Sequence, residues 1–259
     1  MDKDFKFWCI ESDLDAMLYN IFIPLDLQED IQIIDLNENP SLSYANEVSF
    51  RWKCLNEGLS SLQILQKMLD TTEYPIKISS DVVNRHEWFR ITYDLILYRF
   101  ASLRDYSLQL TNAVFELNLD PLKIKLKNIK KQIKSFDPHI IEHLDKISES
   151  GTILRNDRNL LAHEGIFFGI DDSGLEIRKA VSMFEADDRA NSRNISYHNT
   201  NNNETSSDDF FGDVKAYYIS KIELLKKDFM TEAQIINDLL NSLCNLLLAV
   251  EFEIRFNSK

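Results

Sequence analysis

Residues 154–165 read Leu-Arg-Asn-Asp-Arg-Asn-Leu-Leu-Ala-His-Glu-Gly, a polar and charged cluster inside a helix-forming run. Leu154, Leu160 and Leu161 are available to a hydrophobic core on one side of such a helix. Gly165 is the residue type that commonly ends a helix. The stretch therefore predicts a helix that buries leucines and offers polar side chains to a ligand.

The rest of the chain is also helix-forming. Only six Gly and five Pro occur among 259 residues, which favours long helices and disfavours an all-β fold. Apolar residues recur every three or four positions, and Ser-Ser-Asp and Asp-Pro sequences offer helix starts. These patterns predict helices over residues 42–70, 79–118, 121–135, 138–148 and 213–256.

Two segments interrupt the helical pattern. Residues 166–170 and 175–181 flank an Asp-Asp-Ser-Gly turn, which predicts a small β-hairpin directly after the helix at 154–165. Residues 186–212 are rich in Asn, Ser and Asp, which predicts a mobile insertion. We therefore expect a mainly α protein, with an accessory N-terminal region at 1–75 and an antiparallel helical bundle at 76–256.

Composition and charge exclude several classes of protein. Cys9, Cys54 and Cys244 have no paired spacing, so they indicate neither a disulfide framework nor a zinc site, and we expect a cytoplasmic protein. The most apolar stretch, 239–250, is too short and too interrupted by Asn to span a bilayer, so no membrane association is expected. A net charge of -13 disfavours a general nucleic-acid coat protein. Six lysines between positions 123 and 134 either steer RNA or form an ordinary solvated helix face.

Three side chains of the 154–165 stretch suit phosphodiester chemistry. Arg158 is a permanent cation, Asn159 offers an amide, and His163 titrates near neutral pH. Asn159 and His163 share a helix face, whereas Arg158 lies about 140° around the axis from His163. Either the helix ends or bends here, or a second copy of the chain completes the site. We favour a composite site across a two-fold dimer.

The pattern Arg158-Asn159-x3-His163 resembles the Arg-polar-x3-His signature of the HEPN superfamily of nucleic-acid-cleaving and nucleotide-binding helical domains. The resemblance covers roughly residues 80–256. It implies an all-helical bundle, commonly homodimeric, and for many members a metal-independent endoribonuclease of toxin–antitoxin, abortive-infection or antiviral systems. By this resemblance Arg158 and His163 are catalytic, and we assign substrate binding to Asn159 and Arg155.

Other interpretations of the motif remain open. Residues 193–198 repeat the Arg-x4-His spacing inside the Asn- and Ser-rich segment, so spacing alone is a weak signal. In the stretch itself, the two arginines could form ordinary surface ion pairs with Asp157 or Glu164. A third pattern, His139-Ile140-Ile141-Glu142-His143, fits the His-x-x-Glu-His signature of inverted zinc peptidases, although no further carboxylate ligand is marked by its surroundings.

The sequence thus predicts a metal-independent, cofactor-free endoribonuclease acting on RNA as a homodimer, with an antitoxin or a defence protein as its partner. His163 would act as general acid or base, and Arg158 would stabilise the charged phosphorane. The alternative is a HEPN-like module that binds RNA, a nucleotide or a partner protein without cutting.

Overall fold

The computed structural model describes residues 40–70, 76–78, 81–83, 85–134, 137–164, 186 and 205–258. The predicted mainly α fold is confirmed. In chain order the elements are α1 (Pro40–Leu69), β1 (Ile76–Ile78), β2 (Asp81–Val83), α2 (Arg85–Val114), a 3-10 turn (Pro121–Lys123), α3 (Leu126–Ile133), α4 (Pro138–Glu149), α5 (Thr152–Glu164), α6 (Thr205–Cys244), a π-helical segment (Asn245–Phe252) and α7 (Glu253–Asn257).

A short hairpin precedes α2, where the sequence predicted that the helix had already begun. β1 pairs antiparallel with β2, with Ile76 opposite Val83 and Ile78 opposite Asp81. The helix predicted from residue 79 therefore begins at Arg85 instead. The β-branched residues of both strands favour extended backbone, and here that preference exceeds the helix-start signal of Ser-Ser-Asp.

α2 ends at Val114, a few residues before its predicted end. The Leu117 N–H donates to the Asn112 carbonyl oxygen (3.0 Å), and the Glu116 N–H donates to that of Ala113 (3.1 Å). Glu116 adopts a φ of 49°. These bonds form a Schellman motif, which satisfies the last helical carbonyls and turns the chain out of the helix.

The helix predicted over residues 121–135 is divided. Asp120 Oδ1 accepts the backbone N–H two residues on (2.9 Å), but the helix that it caps is only the 3-10 turn. Lys125 then adopts extended backbone, and α3 begins after it. Ile129 and Ile133, four residues apart on α3, are both fully buried. The break therefore sets which side of α3 faces the core.

Three other helix predictions are confirmed. They are the one over 42–70, which is α1, the one over 138–148, which is α4, and the one over 213–256, which covers most of α6 and extends to α7. α6 starts at Thr205, so residues 205–212, predicted as part of the mobile insertion, are helical although the first five of them are polar. The rest of that insertion beyond residue 186, the hairpin predicted at 166–181 and residues 1–39 lie outside the described residues.

The chain forms two compact units. The first contains the described residues within Met1–Gln63, Arg99–Gly151 and Glu232–Lys259. In its core the Tyr44 hydroxyl donates to the Val114 carbonyl oxygen (2.9 Å), and the Tyr44 ring stacks on Phe252. Its fully buried side chains include Leu55, Leu59, Leu62, Leu103, Leu110, Ile129, Ile133, Leu240, Leu243 and Leu247.

The second unit contains the described residues within Ile64–Tyr98 and Thr152–Thr231. The Trp88 indole N–H donates to the Met68 carbonyl oxygen (2.9 Å), which joins the end of α1 to the start of α2. Phe89 stacks on Tyr93 in the interior. This unit contains the motif helix α5, and its buried apolar side chains include Leu65, Leu69, Ile96, Leu97, Leu154, Leu225 and Phe229.

Within the described part of the chain, one helical stretch, Ile219–Phe256, is long and apolar enough to cross a membrane by length and composition alone. Its side chains at Phe229, Leu240 and Leu247 are fully buried inside the protein. Of the most apolar window of this stretch, 47% is buried inside the protein, so length and composition alone do not identify a membrane span.

Candidate nucleic-acid site

The turn before α5 requires glycine. Gly151 has a φ of 64°, a left-handed conformation that is costly for residues with a Cβ atom. A Cβ added there would overlap the ring of Phe100, which leaves no room for a side chain. The Gly151 N–H donates to Glu232 Oε2 (2.8 Å). Gly151 therefore fixes the path by which the chain enters α5.

The inner face of α5 contains a carboxylate. Leu154 and Asp157, three residues apart, are each only 1% exposed. Arg158 and Asn159 are exposed, and Arg155 is partly exposed. The prediction that leucines turn inward is confirmed for Leu154, but Asp157, which the sequence analysis treated as a surface residue, lies with it in the interior.

Asp157 is bound by a tyrosine of α2. The Tyr93 hydroxyl, itself buried, donates to Asp157 Oδ2 at 3.0 Å. Burial raises the pKa of Asp157, the Tyr93 hydrogen bond opposes that shift, and the nearby charge of Asp228 adds to it. Burial, and then the charge of Asp157, also raises the pKa of the Tyr93 hydroxyl, so it remains a donor at every physiological pH. The bond fixes the rotation of α5 about its axis, because Asp157 must face Tyr93.

Arg158 is available to a ligand. It is exposed and forms no hydrogen bond or ion pair with the residues that the structure describes. The interpretation that Arg158 forms a surface ion pair with Asp157 is therefore wrong, because the aspartate is buried and hydrogen-bonded to Tyr93. Arg155 differs from Arg158 in that its Nη2 donates to Thr152 Oγ1 (3.2 Å) at the start of the same helix.

Arg158 and His163 lie on one unbroken helix, because α5 runs continuously from Thr152 to Glu164. At about 100° per residue, the two positions are about 140° apart around the helix axis, whereas Asn159 and His163 are about 40° apart. A helix end between Arg158 and His163 is thereby excluded. The side chain of His163 and the whole of Gly165 lie outside the described residues.

The zinc-peptidase pattern on α4 has an ordinary helix-surface arrangement. His143 Nδ1 is hydrogen-bonded to the His139 carbonyl oxygen (2.8 Å). Glu142 pairs with Lys146 (2.7 Å), and that hydrogen bond lowers the pKa of the Glu142 carboxyl. Across the described ranges, no group of three or more His, Cys, Asp or Glu side chains is placed to hold a metal ion.

The Tyr93–Asp157 pair was not predicted from the sequence, although the position of Asp157 is marked there. Asp157 is three residues after Leu154 and four before Leu161, so helical periodicity places it on the leucine side of α5. Its charge argued for the surface and concealed this spacing. Nothing in the sequence marks Tyr93 as its partner, because the two residues are 64 positions apart.

The sequence model of one family, described as HEPN_Cthe2314-like HEPN, matches residues 44–251. No curated protein and no solved structure gave a significant match. The matched range begins in α1, ends in the π-helical segment and includes all of α5. The resemblance inferred from the Arg158-Asn159-x3-His163 pattern is therefore confirmed, and because the match covers most of the chain, this protein belongs to the family of HEPN_Cthe2314-like HEPN domains.

Proposed function

We propose that this HEPN domain is a metal-independent endoribonuclease. HEPN-type modules are often ribonucleases. The observation that carries the proposal is the outer side of α5. There an exposed arginine, with no hydrogen bond or ion pair to the described residues, stands beside an exposed asparagine, one turn before the motif histidine. An unpaired guanidinium beside an amide donor suits the recognition of a phosphate.

In the proposed reaction, the nucleophile is the 2′-hydroxyl of the RNA itself. Its oxygen attacks the adjacent phosphorus as its proton is removed, and the bond from phosphorus to the 5′-oxygen breaks as that oxygen receives a proton. The products are a 2′,3′-cyclic phosphate and a 5′-hydroxyl end, so DNA is not a substrate. His163 transfers one of these protons as general acid or base, and Arg158 stabilises the negative charge of the phosphorane. Asn159 and Arg155 hold the flanking phosphate.

The proposed active form is a homodimer with composite sites. Arg158 and His163 lie about 140° apart on a continuous helix, so one copy of α5 does not present both to the same phosphate. A two-fold dimer solves this problem if Arg158 of one protomer meets His163 of the partner subunit. We further propose that the protein works in the cytoplasm as a toxin or antiviral-defence effector whose activity is controlled by a partner protein.

The first experiment separates cleavage from binding. Purified wild-type and His163→Ala protein are incubated with total RNA in EDTA, and the products are resolved on a denaturing gel with end-group analysis. We expect discrete fragments with 2′,3′-cyclic phosphate ends from the wild type only. Intact RNA in both samples, or cleavage that needs a divalent metal, would contradict the proposed activity.

A second experiment tests the composite site. We expect the Arg158→Ala and His163→Ala proteins to be inactive when each is assayed alone. They are then mixed in equal amounts and allowed to exchange subunits. If sites form across the interface, one of the two sites in a mixed dimer keeps both residues. Random exchange makes about half of the dimers mixed, so about a quarter of wild-type activity returns. Sites formed within one chain would stay inactive in the mixture.

The alternative, a non-catalytic module that binds RNA, a nucleotide or a partner protein, is favoured by one observation. Because Arg158 and His163 diverge on α5, a protein that stays monomeric has no assembled catalytic pair. Sedimentation analysis distinguishes the two functions. A monomer at micromolar concentration that binds RNA without cutting it would support the alternative.

A further inference from the structure

We propose a second RNA contact surface, separate from α5 and located on the first unit. It consists of the lysine face, defined as Lys123, Lys125, Lys127, Lys131 and Lys134, together with the pocket beside Lys125. Its ligand is the phosphate backbone of RNA. The choice of RNA as the polyanion rests on the proposed function, whereas the surface itself is argued from charge, burial and contacts.

The lysine face is an unusual concentration of charge. Residues 121–136 contain six lysines and neither Asp nor Glu, although the whole chain has a net charge of -13. All five lysines of the face are exposed. None of them forms an ion pair or hydrogen bond through its side chain with the described residues. In an acidic protein, a cluster of lysines without described carboxylate partners attracts a polyanion to its own face.

The fold holds the lysine face outward. Ile129 and Ile133 are fully buried, so α3 cannot rotate without exposing them. Lys127, Lys131 and Lys134 occupy helix positions that lie within about 60° of one another, which makes a single stripe along α3. A stripe of cations at one-turn spacing can follow a chain of phosphates, as a scattered set cannot.

The sixth lysine has a different role. Lys130 Nζ donates to both carboxylate oxygens of Asp145 on α4, at 2.8 and 2.7 Å. Lys130 is therefore neutralised and ties α3 to α4. Lys130 thus differs from the lysine face, whose five side chains have no carboxylate partner among the described residues.

A pocket beside the lysine face offers a place for one phosphate. It has a volume of about 450 Å³ and is lined by Arg104 and Lys125, with Asp105 as its one acidic residue. Arg104 Nε is buried and has no hydrogen-bond partner among the described residues. Leu122, which also lines the pocket, is 85% exposed. The cationic side chains of Arg104 and Lys125 suit a phosphate in this pocket, and the exposed leucine provides an apolar contact for a base or ribose.

The test measures RNA binding in the full chain carrying His163→Ala, so that no cleavage occurs. The probe is a fluorescein-labelled 20-nucleotide single-stranded RNA, followed by fluorescence anisotropy over a salt series. The test variant adds Lys127→Glu and Lys131→Glu, and the matched control adds Lys53→Glu and Lys227→Glu, two exposed lysines outside the face. Circular dichroism and thermal melting verify that both variants fold.

We expect the test variant to bind about tenfold more weakly at 100 mM salt, and the control to change less than twofold. The slope of log affinity against log salt concentration should fall by about 1.4 in magnitude, because each lost contact with single-stranded nucleic acid removes about 0.7. Arg104→Gln should weaken binding in the same direction.

Equal weakening in the test and control variants would overturn the proposal, because it would show only the effect of net charge. Absence of RNA binding by the His163→Ala protein would also overturn it. So would binding to anionic vesicles that depends on Lys127 and Lys131 as strongly as RNA binding does. Failure of the proposed nuclease is distinguishable. A wild-type protein that leaves RNA intact, yet loses RNA affinity when the lysine face is reversed, supports this surface while contradicting catalysis.

Discussion

α4 and α5 are consecutive helices, and each contains a histidine motif that fits the spacing of a known catalytic signature. The face that α4 buries is wholly apolar, with Ile140, Leu144 and Ile147. On α5 the buried face pairs Leu154 with Asp157, and the carboxylate is bound by a tyrosine from α2. The two helices therefore look alike in motif spacing and differ in what lies beneath the motif.

The residues buried beneath a motif are therefore more informative about its role than the spacing of the motif. An apolar face could hold α4 in place with no polar partner at all. Burying a carboxylate costs free energy unless it is hydrogen-bonded, so Asp157 needs a donor that an apolar residue at this position would not need. The rotation of α5 therefore depends on the hydrogen bond from Tyr93 to Asp157. The direction in which Arg158 and Asn159 point depends on it in turn.

The largest expected difference between the two helices is in catalysis. His163→Ala should lower the rate of RNA cleavage by about 100- to 10,000-fold, the usual loss for a general acid or base. His143→Ala on α4 should leave the rate within twofold of wild type, because the hydrogen bond of that histidine is to the carbonyl oxygen of His139 on its own helix. Initial rates on a defined RNA substrate measure both. Equal losses would show that the motif on α5 has no special role.

The next largest effect concerns the turn between the helices. Gly151→Ala should reduce the free energy of unfolding by about 2 to 4 kcal/mol, because it combines a left-handed conformation with a clash against the Phe100 ring. Gly58→Ala is the comparison variant, since Gly58 is helical and its added Cβ meets the end of the Leu103 side chain (2.8 Å) and the edge of the Tyr106 ring (3.3 Å), without a left-handed backbone. Urea denaturation measures both variants. A Gly151→Ala protein as stable as the Gly58→Ala protein would contradict the structure of this turn.

Removal of the tyrosine beneath α5 should have an intermediate effect. Tyr93→Phe leaves a buried carboxylate without its donor, which should cost about 1 to 3 kcal/mol. It should also lower cleavage activity at a temperature where the protein is still folded, because α5 loses its rotational constraint. Tyr98→Phe, at a position 60% exposed on the same helix, is the control and should cost less than Tyr93→Phe, because its side chain is largely in water.

The pH dependence of the same pair has a definite sign. Because burial raises the pKa of Asp157 in the folded protein, its contribution to stability is full below the pKa of the unfolded carboxyl and decreases as pH rises through the folded value. Asp157→Asn keeps an acceptor for Tyr93 and removes the ionisation. The stability of this variant relative to wild type should therefore increase from pH 4 to pH 7, as measured by urea denaturation. A constant difference would contradict the raised pKa.

The smallest effect is expected on the surface of α4. Lys146→Gln removes the hydrogen bond that lowers the pKa of Glu142, so this pKa should rise towards its ordinary value. Both side chains are exposed, and exposed pairs contribute little to folding. Titration by NMR should detect the pKa change while the melting temperature stays the same. An unchanged Glu142 titration would show that the pair does not persist in solution.

Much of the architecture could be predicted from local sequence. The spacing of Leu55, Leu59 and Leu62 predicted α1, and Asp137-Pro138 predicted the start of α4, because both signals act within one or two helical turns. Local signals failed where two of them competed. β-branched residues displaced the expected start of α2, and extended backbone at Lys125 divided the helix expected after Asp120.

By itself the sequence determined the mainly α class, the HEPN motif and the family, since composition, periodicity and motif spacing are properties of the chain alone. Only the tertiary structure decided that Asp157 is buried against Tyr93, that α5 continues past Arg158 to Glu164, and that Lys130 alone of its block has a carboxylate partner among the described residues. Each of these depends on where a helix ends or on contacts between residues distant in sequence. Such contacts are set by how helices pack, and no local pattern encodes them.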